Sequence, residues 1–149
     1  MTIVPGPDRP ARPEDVDAIC AALPETWFGT SWGDVPTWLV HHRLRDGERQ
    51  GRGFVLYRKP DRHALDPTTG APYDDLVVVR TATVEDKAAL VEGGGPFFTI
   101  DHFRRSNAVL VQLSRLGEIS HAELAEVLTE AWCACAPKTS VRRFREGQS

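Results

Sequence analysis

Gly95-Pro96-Phe97-Phe98-Thr99-Ile100-Asp101-His102-Phe103-Arg104-Arg105-Ser106-Asn107-Ala108-Val109-Leu110-Val111-Gln112-Leu113 is the stretch on which the fold turns. Two apolar runs rich in aromatic and β-branched residues, Phe97 to Ile100 and Ala108 to Leu113, flank a short polar tip. That pattern predicts a β-hairpin. A lone hairpin is unstable in water, so this one must belong to a larger sheet packed under helices. Its tip carries Arg104 and Arg105. On the last strand Val109, Val111 and Leu113 form the core set, which leaves Leu110 on a second face, exposed or covered by a partner.

Working outward, Thr83 with Asp86 three residues on predicts a helix start; that helix buries Val84, Ala88 and Val91 and ends at Gly93-Gly94-Gly95. Leu76 to Arg80 before it is a continuous apolar strand. Further upstream, Thr37 to Leu44 and Gly53 to Lys59 read as paired strands. The tip between them, Arg45 to Arg52, contains the turn signal Asp46-Gly47. Pro60 to Asp74 is a polar, turn-rich excursion, and Pro24 to Val35 reads as an aromatic loop anchored over the sheet. Val16, Ile19, Cys20 and Leu23 fall on one face of a first helix that begins at Pro13. Ser120 and Glu123 box the start of a last helix, whose stripe is Leu124, Val127, Leu128, Ala131 and Cys135 and which Pro137 ends.

This order predicts an α+β fold: a two-layer α-β3-α-β2-α domain with a mostly antiparallel five-stranded sheet and helices on one face. Residues 1–12 read as a loose lead-in, 13–141 as a single domain and 142–149 as a basic, frayed tail. A chain of 149 residues fits one domain with a core of its own. The net charge of -3 weighs against a general polyanion binder, so any such role must come from where the charges sit. Three cysteines without metal spacing point to reduced thiols and a cytoplasmic address. No apolar run approaches the length of a membrane span.

Chemistry is sparse. Asp101 and His102 are neighbours on an expected strand, face opposite ways and make no orienting pair, so His102 reads as packing at the sheet edge or bonding the turn. Cys133 and Cys135 stand about 200° apart on a helix and form no dithiol site. No catalytic residue, metal site or cofactor is expected, and the chain is read as not an enzyme. The arginines remain: Arg43, Arg45, Arg49 and Arg52 on one hairpin, Arg104 and Arg105 on the other. Gathered on one ridge, they would contact nucleic-acid phosphates without reading sequence. The alternative partner is a protein, or a second copy of the chain, on the open face of the sheet.

Phe97 to Phe103 followed by Ala108 to Leu113 resembles the signature of the MmcQ/YjbR family. Ala131-Trp132 with Ala136-Pro137-Lys138, Leu23-Pro24, Gly33 with Pro36, and Gly51-Arg52-Gly53-Phe54 resemble the same family, over roughly residues 14–141. The resemblance implies the α-β3-α-β2-α fold and a DNA-binding role of the "double wing" kind, with no shared catalytic residue. This sequence departs from the pattern at Arg105, where glycine is common, around Arg45 to Gln50, and in the long excursion from Asp61 to Tyr73.

Overall fold

The computed structural model describes residues 8–31, 33–45 and 48–147, with backbone alone for 43–45 and 48–49. Helix α1, Pro13–Ala22, starts at a proline with acidic residues in its first turn. The Asp15 carboxylate accepts the Arg12 backbone N–H at 2.8 Å and pairs with Arg9 at 2.7 Å. Arg9 and Ala11 also bond the backbone around Ile119 and His121, so residues 8–12 are pinned to the domain rather than loose.

Strand β1, Thr26–Ser31, lies where an aromatic loop was expected. Its glycine is a packing residue, not a turn signal: a Cβ at Gly29 would stand 3.0 Å from Leu39 Cδ1. Strands β2, Val35–Arg45, and β3, Glu48–Tyr57, form the longest ladder, interrupted by register shifts at Trp38/Leu39 and His41/Arg43. The Trp27 indole reaches across this ladder. A Cβ at Gly51 would lie 2.4 Å from the ring, so only glycine fits beneath it. Strand β4, Leu76–Arg80, leads through helix α2, Val84–Gly93, to β5, Phe97–Phe98, and β6, Ala108–Gln112. The sheet is antiparallel throughout in the order β1-β2-β3-β4-β6-β5, six strands rather than five. The mixed α+β class stands.

Helices α1 and α3, His121–Cys135, cover one face. Val16, Cys20, Leu124, Leu128, Ala131 and Trp132 pack there on Val40, Val55, Val77, Val79, Val109 and Val111. Asp17 ties α1 to the sheet by accepting Trp38 Nε1 and Tyr57 Oη at 2.8 and 2.7 Å. Burial and this bond both favour the neutral phenol and push the Tyr57 hydroxyl well above its usual range. Past Pro137 the described residues form a further helix rather than a frayed tail: α4, Lys138–Glu146, rests Phe144 on Trp132 with ring centroids 5.1 Å apart.

The second face is not open over β3, β4 and β6. Leu110 is 1% exposed and belongs to a second core with Leu56, Leu76, Val78 and Ala108. The excursion supplies Ala64 and Tyr73 as cover, and the β5–β6 connection supplies Ile100 and Phe103. The apolar run Leu76–Val79 is buried on both sides for this reason. The expected hairpin tip is thus a lid, folded into a 3-10 turn at Asp101–Phe103. Helix α2 buries a different set from the one expected. Val84 is 52% exposed and Ala88 faces solvent, while Lys87 is buried.

Candidate nucleic-acid interface

Lys87 explains how the lid is held. Its Nζ donates to the carbonyls of Phe103 at 2.6 Å and Ser106 at 2.8 Å. These bonds bracket Arg104 and Arg105 and fix the turn that presents them. Burial alone drives the Lys87 ammonium below its usual range. Its sequence signal was its place three residues after Val84 and four before Val91, on the stripe that periodicity assigned to the core.

A second tie comes from the excursion. His63 and His102 stack with ring centroids 4.5 Å apart. His102 therefore packs, but on a residue that strand reasoning never placed near it. The stack joins the turn carrying Arg62 to the turn carrying Arg104 and Arg105, about forty residues apart in the chain. All three arginines are exposed, and among the described residues none of them is in an ion pair.

Beside the stack, Val35, Arg58, Lys59, Asp61, His102, Phe103 and Ser106 line a cleft of about 480 Å³. The Arg58 guanidinium carbon lies 5.2 Å from the Phe103 ring centroid. Asp61 holds Arg58 Nη2 with both oxygens at 2.9 Å, and the buried Arg58 Nε has no acceptor among the described residues. An unpaired buried donor costs about 1–3 kcal/mol. The backbone N–H of His63 and then Arg58 lower the Asp61 carboxyl, so it stays ionised. Lys59 pairs with Asp34 at 2.7 Å, which lowers the Asp34 carboxyl.

Of the sequence-predicted arginines whose side chains are described, Arg52 does not share a face with Arg104 and Arg105. Arg104 and Arg105 follow Phe103 on the lid side of the sheet. Arg52 pairs with Val40, whose side chain sits in the helix-side core. Burial pushes the Cys135 thiol up, against the opposing charges of Arg52 and Arg80. The backbone of Arg43, Arg45 and Arg49 runs at the far end of the β2–β3 ladder, and their side chains lie outside the described residues. Among the described residues no group of three or more histidine, cysteine or acidic side chains is arranged to hold a metal ion. No described helix is long and apolar enough to cross a membrane.

Two mycobacterial proteins resemble this chain along most of its length. The uncharacterised proteins Rv2570 of Mycobacterium tuberculosis and Mb2600 of Mycobacterium bovis are each 39% identical to it over 109 residues, covering 72% of this chain and 78% of theirs. No family model matches the chain, and no solved structure matches it.

Proposed function

We propose that this chain, which belongs to the same family as the mycobacterial protein Rv2570, is a non-enzymatic domain that binds DNA through its phosphates. The observation that carries this reading is the histidine stack, which joins the turn of Arg62 to the turn of Arg104 and Arg105 next to a cleft lined by Arg58 and Lys59. Arg62, Arg104 and Arg105 are exposed, in a protein whose net charge is -3. Contacts of this kind draw affinity from released counterions and carry no base sequence. The resemblance to the MmcQ/YjbR family supports the same reading.

The test is a salt titration of DNA affinity. Binding is expected to fall steeply with salt, and Arg104→Ala/Arg105→Ala is expected to flatten the log–log slope by about 1 for each phosphate left without its arginine. Absence of binding to both duplex and single-stranded DNA at about 50 mM salt overturns the proposal.

A further inference from the structure

We infer that the cleft between Arg58 and Ser106 is a phosphomonoester site that receives the terminal phosphate of a nucleic-acid strand or the phosphate of a mononucleotide. The inference deepens the phosphate-binding reading and rests on it.

Exposed arginines suffice to track a backbone; the cleft is built differently. Its guanidinium is sunk: the Arg58 side chain is 8% exposed, seated on Phe103 and oriented by Asp61 through Nη2. Nε, buried and without an acceptor among the described residues, marks a guanidinium whose hydrogen bonding Asp61 leaves incomplete. A phosphoryl oxygen is the acceptor that an arginine fork matches best. Asp61 is the one carboxylate among the described lining residues, and its oxygens already accept Arg58 and the His63 N–H, the latter at 2.7 Å. Lys59 is available at the rim, because it and Asp34 are 57% and 82% exposed, and a pair in that setting is readily exchanged. Ser106 Oγ accepts the Ala108 N–H at 3.1 Å, which leaves its own O–H to donate. His102 lines the same cleft.

Bulk and charge favour the monoester in a cleft of about 480 Å³. A backbone diester carries a nucleotide on each side of phosphorus and would have to bring both into the cleft, whereas a terminal phosphate enters with one. The monoester also carries roughly twice the charge at neutral pH. A strand seated in this way continues outward over the Arg62, Arg104 and Arg105 turns.

The experiment compares one short single-stranded oligonucleotide with a 5′-phosphate and with a 5′-hydroxyl, by anisotropy on the full chain, alongside calorimetric titration with AMP and with inorganic phosphate. The phosphorylated strand is expected to bind about tenfold more tightly. Lys59→Ala and His102→Ala, both at exposed positions, are expected to erase most of that preference, with a smaller loss of affinity for the hydroxyl strand. Arg58→Met is expected to abolish the preference, and its melting curve shows whether the domain is folded. If it is not, Lys59→Ala and His102→Ala decide. AMP binding comparable to the phosphorylated strand assigns the site to mononucleotides; binding of the strand alone assigns it to nucleic-acid ends. Equal, salt-sensitive binding of the two strands, or a preference that survives Lys59→Ala and His102→Ala, overturns the cleft and keeps the DNA reading. Binding of AMP with neither strand bound keeps the cleft and overturns the DNA reading. No binding of any probe overturns both.

Discussion

On one face of the sheet Leu124, Leu128 and Trp132 arrive from a single 15-residue helix; on the other Ala64, Tyr73, Ile100 and Phe103 arrive from two connecting segments. Both sets bury the apolar side chains beneath them almost completely. They differ in what holds the cover in place. A helix satisfies its own backbone and needs only a packed stripe. The connecting segments have few such bonds and depend on side-chain ties: Lys87 on two carbonyls, His63 on His102, and Asp61 on Arg58. The cover with fewer backbone bonds of its own is expected to open first. It is also the cover that carries Arg62, Arg104 and Arg105.

The sharpest test of this contrast sets Trp132→Ala against Phe103→Ala. Each removes a large buried ring and is expected to cost about 3–5 kcal/mol in urea unfolding. In native-state hydrogen exchange, Trp132→Ala is expected to lower protection throughout the sheet. Phe103→Ala is expected to release residues 61–75 and 99–107 while α3 stays protected. If α3 loses protection equally in both, the two faces are one cooperative unit and the contrast is broken.

A smaller effect is expected from Lys87→Met. The methylenes still fill the α2 site, but two carbonyls lose their donor, for about 1–3 kcal/mol, and exchange should rise first between Phe103 and Ser106. Unchanged protection there would show that Lys87 does not hold the lid. The smallest effect belongs to the helix side. The hydrogen bond from Arg9 leads in drawing the Asp15 carboxyl down to about 2. A carboxyl lowered on folding adds stability that is complete above its unfolded value, near 3.9, and is lost as pH falls through the folded one. Between about pH 5 and pH 2 the protein is expected to lose about 1–2 kcal/mol more than Arg9→Ala, read from urea midpoints. Parallel curves would remove the role of this pair.

The helix side was legible because its signals are periodic. The stripe from Leu124 to Cys135 and the box of Ser120 with Glu123 announce α3 without help from the rest of the chain. β1 was missed because its Gly29, needed for the close approach of Leu39, looks in one dimension like a turn former. The lid was missed because connecting segments have no period; Ala64, Tyr73 and Phe103 meet only through the tertiary fold. One hint was present. Leu76 to Val79 is apolar at both parities, which already requires two covered faces. The site suffered likewise: Arg104 and Arg105 were visible as charges, but the stacking of His63 on His102 that brings Arg62 beside them has no local signature.

The contact between Trp27 and the backbone at Gly51 ties together two positions that inspection of either alone would treat as independent. Where a relative carries any side chain at the equivalent of 51, the indole has nowhere to lie, and a smaller residue must stand at the equivalent of 27. The two sites should therefore drift through evolution as a pair, and a paralogue that breaks the coupling would have to splay its first strand away from its third.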